Sequence, residues 1–373
     1  MEAPRKIVLI LGNGFDLDLG LKTSYKDFWY SRFCPRTYPA PLIYHLNQRW
    51  NDNLDAVRWY DIENELLKYY QGLPDPHQGA DILSNEELSF LQEFKPTSNL
   101  YRRYTGEELS LLFRLINKGI LYYTDDSGYA VDNRFGNDCL ETPIWRDHKA
   151  LTIIRALLCD YLKEALNNMY IQPSTALTLL KLFDVIHKDN AIDIYSFNYT
   201  PLPLEFGQKF RNYVHYVHGS CKEDNLIIGI GDDGELTKEY DFLRKSFAPE
   251  YNPPGLASAL LDADDVIIFG HSIGENDRQY FKAFFKQQSD YSNTRKKRIT
   301  IFTRDSESTL EIKRALHKMT DNNFSALYSN NNCFKIIETV DLKNNSKPLS
   351  EFLSQYIPDD QQIESIISDY LTA

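Results

Sequence analysis

Cysteine is scarce in this sequence, and the few cysteines are scattered. None of Cys34, Cys139, Cys159, Cys221 and Cys333 stands in a Cys-x-x-Cys pair, so neither a zinc knuckle nor a redox dithiol is predicted. The odd number of cysteines and the lack of a signal peptide favour a reducing compartment. We therefore expect a cytoplasmic protein without a metal site.

Long apolar runs are missing as well. The first run, residues 7–11, is too short for the core of a signal peptide or for a membrane span. Elsewhere no stretch reaches about 18 apolar residues, the length at which a spanning helix is predicted. The sequence therefore predicts no membrane partner.

The sequence also has no excess of basic residues. Its 41 Lys and Arg residues and 53 Asp and Glu residues give a net charge of −12, and an acidic chain repels a nucleic acid backbone unless its basic residues cluster. The densest basic run, RKKR at 295–298, precedes an apolar segment. We interpret it as the solvated entrance to a strand that needs no partner. Nucleic acid is therefore not the expected ligand.

Apolar and aromatic side chains, by contrast, are abundant. Hydrophobic residues make up 42% of the chain and aromatic residues 13%, which supports a large core. Several short apolar segments lack polar alternation, as is typical of buried parallel strands. These segments are KIVLILGNG at the start, then AIDIYSFNYT, YVHYVHGS, NLIIGIGDD, DADDVIIFGHS and RITIFTRD. The predicted fold is α/β, a Rossmann-like, mostly parallel sheet flanked by helices.

The middle of the chain has a different pattern. Residues 30–190 contain mainly amphipathic helical stretches, and the polar stretch 124–141 is predicted to be a loop. We therefore predict a nucleotide-binding core from residues 1–29 and 191–373, with a mainly helical insertion at 30–190. Ser24 and Asp27 form a capping box for a helix, and one or two helices are predicted near the end of the chain.

The apolar segments end in glycines and polar side chains. Ligands bind at the carboxyl ends of strands in open parallel sheets, so these groups are expected to meet at one edge. The candidates at or just after such ends are Gly12, Asn13, Gly14, Asp16, Asn198, His218, Gly229, Gly231, Gly270, Ser272 and Asp277. Their shared placement is the argument for a functional pocket, since each motif alone also has a structural interpretation.

The glycines after the first strand have two interpretations. Gly12 and Gly14 suit a pyrophosphate, because glycine permits close approach and a helix amino terminus supplies N–H groups. The next glycine is Gly20, so the dinucleotide fingerprint is incomplete and a plain tight turn is the alternative. Asp16 suits a hydrogen bond to a sugar hydroxyl or, equally, a cap on the backbone.

The later motifs also leave alternatives open. Asn198 can orient a water or a carboxamide, or hold a turn through bonds to the backbone. His218 can exchange a proton near neutral pH, or be a core histidine bonded to the backbone. Gly270 and Ser272 can bind ribose or phosphate, or form a strand-to-helix turn. Asp277 is a candidate ligand contact, or the cap of a helix that starts there.

Taken in order, four motifs resemble the AbiH family of bacterial phage abortive-infection proteins. These motifs are LGNGFDLDLGLKTSYKDF, YSFNYT, VHG and FGHSIGENDRQYF. Residues 30–190 match only loosely, through WYDIENEL. The same order is more remotely similar to sirtuin-like NAD-binding domains. The resemblance to the family implies a role in defence against phage.

The sirtuin-like resemblance implies an NAD glycohydrolase that releases nicotinamide and ADP-ribose. It implies that Asn198 and His218 are the catalytic pair, that Gly12, Gly14 and Asp16 face NAD, and that Gly270 and Ser272 lie at its ribose end. This chain departs from the sirtuin pattern at Thr200, where the pattern has an acid, and it lacks the cysteine pairs of the zinc module. Protein deacetylation is therefore not expected.

A non-catalytic nucleotide sensor or interaction module in antiviral defence is the alternative function. In both cases a small nucleotide is the expected partner. The insertion at 30–190 is where we expect the phage trigger to be sensed or a homo-oligomer to form.

Overall fold

The structure is a computed structural model. It describes residues 4–38, 40–52, 62–71, 85–94, 104, 106–117, 121–124, 128–131, 143–167, 170–232, 236, 238–252, 254–329 and 332–371.

The strands and helices alternate over much of the described chain. The strands are β1 (Lys6–Leu11), β2 (Leu121–Thr124), β3 (Gly128–Val131), β4 (Ala191–Ser196), β5 (Val214–Tyr216), β6 (Asp265–Phe269), β7 (Arg298–Thr303) and β8 (Cys333–Glu338). The helices are α1 (Asn13–Asp18), α2 (Tyr25–Tyr30), α3 (Pro41–Asp52), α4 (Ile62–Gln71), α5 (Asn85–Glu93), α6 (Gly106–Asn117), α7 (Pro143–Asn167), α8 (Thr175–Ile186), α9 (Leu204–Lys209), α10 (Leu256–Asp262), α11 (Arg278–Gln288), α12 (Ser306–Met319), α13 (Ala326–Ser329), α14 (Lys347–Leu353) and α15 (Asp360–Leu371). None of these described helices combines the length and the apolar character needed to cross a membrane.

The chain divides into two compact units. The first consists of Met1–Phe28, Cys159–Ile227 and Ala248–Ala373, and the second of Trp29–Leu158 and Ile228–Phe247. The domain boundaries predicted from the sequence, after residues 29 and 190, stay a prediction about domain organisation. The two compact units divide the chain after residues 28, 158, 227 and 247.

The first unit is built on a six-stranded sheet. Its strand order is β5-β4-β1-β6-β7-β8, and every neighbouring pair is parallel. Numbered along the chain, this is the doubly wound order 3-2-1-4-5-6. The predicted Rossmann-like α/β fold is confirmed, with a sheet that is wholly rather than mostly parallel.

The sequence of β1 explains its central place in the sheet. Leu9 and Leu11 pack into one apolar cluster with Phe183 of α8. Val8 and Ile10 pack into the other cluster, which contains helix α11. Successive side chains of a strand face opposite sides, so an unbroken apolar run fits a strand that is covered on both faces. Burying each of these side chains stabilises the fold by roughly 1.5–3 kcal/mol.

Two local predictions are confirmed in the first unit. The backbone N–H of Ser24 donates to Asp27 Oδ2 at 3.2 Å, and the backbone N–H of Asp27 donates to Ser24 Oγ at 3.1 Å. This reciprocal capping box starts α2. The predicted terminal helices are α14 and α15.

One predicted strand is wrong, and one strand was not predicted. NLIIGIGDD was expected to form a strand, but its only sheet-like pairing in the described chain is an isolated bridge between Ile230 and Arg244. The predicted set of strands is also incomplete, because RITIFTRD forms β7 but β8, which was not predicted, pairs with it at the edge of the sheet. Exposed and partly buried residues alternate with buried ones in β8. The strand therefore has no continuous apolar run that would identify it in the sequence.

The basic run at 295–298 is not simply solvated, contrary to the prediction. Lys297 is buried at 2% exposure, and its Nζ donates to the carbonyl oxygens of Leu260, Leu261 and Ala263, the Leu261 bond being 2.8 Å long. Burial lowers the pKa of this amine to about 8. The ammonium group therefore caps the carboxyl end of α10, where the carbonyls lack partners within the helix.

Lys297→Met is expected to destabilise the first unit by about 1–3 kcal/mol, because three carbonyls lose a charged donor. Urea denaturation checks this. Lys296→Met removes the same charge from the exposed neighbouring residue and is expected to leave the urea midpoint within experimental error. Equal midpoints for the two variants would contradict the capping role.

The described part of the second unit contains α3 to α6, the β2–β3 hairpin and 3-10 turns at Lys238–Leu243 and Lys245–Phe247. Its apolar cluster includes Leu112 and Leu115 of α6 and Leu121 of β2. The predicted loop at 124–141 is wrong at Thr124, the last residue of β2, and at residues 128–131, which form β3 and pair antiparallel with β2. Residues 125–127 and 132–141 lie outside the described residues.

Candidate functional site

The glycines after β1 and β6 bring two turns into backbone contact. Gly12 N donates to Phe269 O and Gly14 N donates to Gly270 O, both at 2.9 Å. A Cβ on Gly12 would lie 2.5 Å from the Cα of His271, and a Cβ on Gly14 would lie 2.7 Å from the Cα of Gly270. The close approach of the two turns therefore explains both glycines. Their N–H groups are already engaged with carbonyl oxygens of the chain.

Asp16 is a buried acid at the same edge of the sheet. Its side chain accepts hydrogen bonds from Asn198 Nδ2 at 2.9 Å and from Thr200 Oγ1, and the residue is 4% exposed. Burial raises the pKa of its carboxyl to about 7, against the smaller lowering by the Thr200 and Asn198 bonds. The interpretation of Asp16 as a backbone cap is wrong, because the groups of the described chain that bond to its carboxylate are side chains after β4. Each oxygen keeps a lone pair for a further donor.

Two asparagine side chains near Asp16 keep unused hydrogen-bonding capacity. Asn198 is 5% exposed, and its Oδ1 has no hydrogen-bond partner among the described residues. Asn13 Oδ1 accepts a bond from Thr23 Oγ1 at 2.8 Å, but Asn13 Nδ2 has no partner in the described part of the chain. Asn13 and Asp16 are three residues apart on α1 and share a face. This edge therefore offers one acceptor and one donor to a ligand.

A carboxylate lies between two imidazoles on the other side of the edge. Asp277 Oδ1 lies 2.9 Å from Nε2 of His218, and Asp277 Oδ2 lies 3.4 Å from Nε2 of His271. His218 follows β5 and is 4% exposed, whereas His271 follows β6 and is 7% exposed. Phe197 has its ring centroid 5.2 Å from that of His218 and 4.2 Å from that of His271. The imidazoles therefore lie in a largely apolar setting in which their contacts with Asp277 are strong.

Asp277 occupies the residue before α11, as predicted, but its side chain makes no capping hydrogen bond. The interpretation of Asp277 as a helix cap is therefore wrong, and its carboxylate faces the histidines instead. Gly270 has a φ of +63° and forms the turn that places His271. Ser272 is exposed.

Gly229 and Gly231 belong to the second unit. A Cβ on Gly229 would lie 2.4 Å from Leu243 O, so local packing explains this glycine. In the described chain this segment forms only an isolated bridge and no strand. The prediction that Gly229 and Gly231 lie at the end of a parallel strand is therefore wrong.

The structure thus places two polar groups at the carboxyl edge of the first unit. Asp16 and Asn198 are bonded in one, with Asn13 on the same helix face as Asp16, and His218 and Asp277 are bonded in the other. The sequence interpretation missed that Thr200 bonds to Asp16 and that His271 faces Asp277. The polar side chains just after strands were a usable signal for both. No group of three or more His, Cys, Asp or Glu residues in the described part of the chain is arranged to hold a metal ion.

The fold and this edge define an α/β protein of Rossmann-like topology with a polar cluster at the strand ends. Compared with known families, residues 8–303 match the model of bacteriophage abortive infection AbiH. The chain therefore belongs to the AbiH family, which indicates a role in abortive infection defence against phage. Neither a curated protein nor a solved structure gives a significant match to the chain.

Proposed function

We propose that the protein hydrolyses NAD to nicotinamide and ADP-ribose when phage infection activates it. Loss of NAD from an infected cell would stop phage growth, in line with abortive infection. The observation that carries the proposal is the His218–Asp277 pair after β5, together with Asn198 after the neighbouring strand β4, whose Oδ1 has no partner among the described residues. An imidazole with a carboxylate partner is a general base suited to activating water.

The proposed reaction balances without any oxidant or reductant. The bond between the ribose C1′ and the nicotinamide nitrogen breaks, and its electron pair goes to the nicotinamide ring. A bond forms between C1′ and the oxygen of water, and His218 accepts the proton that the water loses. Asn198 Oδ1 orients this water or accepts a bond from the nicotinamide carboxamide.

The engaged N–H groups of Gly12 and Gly14 change the expected binding of the pyrophosphate. We assign the donor role at this turn to Asn13 Nδ2, which has no partner in the described chain. Asp16 remains the proposed partner of a ribose hydroxyl, and the exposed hydroxyl of Ser272 is a second ribose contact. Glycine at position 270 serves the turn itself.

The burial of the cluster fits a protein that is inactive at rest. Asp16, Asn198, His218 and His271 are each at most 7% exposed, so a nucleotide can reach them only after covering segments move. An enzyme that depletes NAD must be restrained until infection. We propose that the phage trigger acts by opening this edge.

Variants at the two proposed catalytic residues test the function. Asn198→Ala and His218→Ala are expected to lower NAD cleavage by at least about 100-fold and to abolish phage protection. NAD and nicotinamide are measured after adding phage lysate to purified protein. His215→Ala is the matched control, because His215 lies three residues before His218, in β5, but is partly exposed and stacks on Tyr195. If the lysate-treated wild type leaves NAD intact, or if both variants still protect cells, the proposal fails.

The alternative is a nucleotide sensor that binds without turnover. The burial of the polar cluster favours it, because a closed site can report binding through the movement that opens it. Calorimetry with NAD, ADP-ribose and ATP, combined with product analysis, separates the two functions. Binding with no nicotinamide released would support the sensor.

A further inference from the structure

We infer that Asp277 is a positioning residue that places the proton of neutral His218 on Nε2, so that Nδ1 of His218 exchanges the proton in the reaction. The role of His218 Nδ1 in the reaction rests on the proposed function. The placement of the proton rests only on the geometry of Asp277 and the two imidazoles.

The Asp277 carboxylate is oriented toward two histidines and not toward the helix that follows it. Aspartate at the residue before a helix commonly accepts a bond from a backbone N–H and so stabilises the helix. Asp277 forgoes this bond and directs its oxygens at Nε2 of His218 and Nε2 of His271. The side-chain direction therefore follows the histidines rather than the helix.

The proton on His271 is fixed independently of Asp277. The backbone N–H of Ile273 donates to Nδ1 of His271 at 2.9 Å, so Nδ1 is an acceptor and neutral His271 carries its proton on Nε2. A proton on Nδ1 of His271 would point at the backbone N–H of Ile273, and the hydrogen bond between them would be lost. Nδ1 of His271 is therefore engaged as an acceptor, and His271 does not replace His218 as the base.

The backbone at Ile273 shows that this arrangement is built into the turn. Ile273 has a φ of +51° and is fully buried. A β-branched residue in the left-handed region is strained and persists only where the surroundings impose it. That conformation is the one in which the Ile273 N–H bonds to His271.

The proton on His218 follows from its contact with Asp277. An ionised carboxylate only accepts hydrogen bonds, so the 2.9 Å contact requires an N–H on Nε2 of His218. Nδ1 is then the basic nitrogen of the neutral ring. When Nδ1 takes a proton, the imidazolium that forms is stabilised by the negative charge of Asp277.

Nuclear magnetic resonance of the histidine-labelled protein tests the placement directly. Long-range proton–nitrogen spectra, assigned with His218→Gln, are expected to show the His218 proton on Nε2 in the wild type. A wild-type proton on Nδ1 would overturn the inference. This readout needs no variant at residue 277 and no NAD cleavage, so it also stands if the proposed function fails.

The kinetic test uses Asp277→Asn. Loss of the carboxylate is expected to lower kcat for NAD cleavage by about 10²- to 10⁴-fold with a smaller change in KM, and to move the acidic limb of the pH–rate profile to lower pH. Glu275→Gln is the matched control. It removes a charge from the same turn, and Glu275 is exposed and paired with Lys318 at 2.7 Å.

The outcomes separate the two proposals. An unchanged kcat and pH profile in Asp277→Asn, in a protein whose wild type cleaves NAD, would overturn the role of Asp277. A wild type that never cleaves NAD would overturn the proposed function, while the spectra would still support or overturn the placement of the proton.

Discussion

Gly270→Ala is expected to destabilise the first unit by about 2–5 kcal/mol, the sum of a left-handed backbone penalty and an overpacking penalty. Gly270 has a φ of +63°, and a Cβ there would lie 2.4 Å from the backbone nitrogen of Phe15 and 2.5 Å from the Cα of Gly14. These are backbone atoms of α1, which cannot move aside like a flexible side chain. The loss is a large part of the 5–15 kcal/mol by which domains are typically stable.

Gly106→Ala separates the two causes of this loss. Gly106 also has a positive φ, of +52°, but a Cβ there would meet no atom of the described residues within 4 Å. We expect this variant to cost only the backbone penalty of about 1–2 kcal/mol. Urea denaturation of both variants gives the comparison. A difference of less than about 1 kcal/mol between them would mean that the two turns do not approach as closely as described.

The sequence predicted the central strands well because their chemistry is local. In β1 an unbroken apolar run is buried on both faces, and the same physics makes β6 recognisable. An apolar run records burial rather than strand geometry, which is why NLIIGIGDD was wrongly predicted to be a strand. Its Ile228 and Ile230 are as buried as residues of β1, yet they form no strand.

The candidate site was predictable only in part. Asn198 and His218 were predicted because each follows a parallel strand, and parallel strands end at the same edge of a sheet. The contact between His218 and Asp277 joins residues 59 positions apart, and Asp277 has the local pattern of a helix cap. The pairing depends on a long-range contact between the residue before α11 and a residue just after β5, which no local pattern records.

The role of glycine in the first turn shows the same limit. Gly12 and Gly14 were predicted either to admit a phosphate or to form a tight turn. The structure gives a third reason, contact with the turn after β6. A glycine in a sequence indicates that a larger side chain does not fit at that position. It does not indicate which atoms occupy the space.

Asp16→Asn is expected to remove a large pH dependence of stability. Burial raises the pKa of Asp16 from 3.8 to about 7, so the folded chain binds this proton more tightly than the unfolded chain. The contribution to stability is fully present below about pH 4 and is lost as the pH rises through 7. Between pH 5 and pH 8 the wild type should lose about 2–3 kcal/mol relative to the variant.

Urea denaturation of both proteins at the two pH values measures this difference, in which the other titrating groups cancel. Asp160→Asn, at an exposed aspartate, is the control and should keep the wild-type dependence. A variant whose stability tracks the wild type across this range would show that Asp16 does not titrate there.

The ionisation of Asp16 also sets the orientation of Asn198. Ionised Asp16 can only accept hydrogen bonds, so it holds Nδ2 of Asn198 toward itself, and Oδ1 of Asn198 is turned away, available to a ligand. Protonated Asp16 can donate, which permits the Asn198 amide to turn over. Because the pKa of Asp16 is about 7, we expect nucleotide binding, measured by calorimetry, to strengthen from pH 6 to pH 8 in the wild type. The dependence should be weaker in Asp16→Asn, and equal slopes would contradict the coupling of the two side chains.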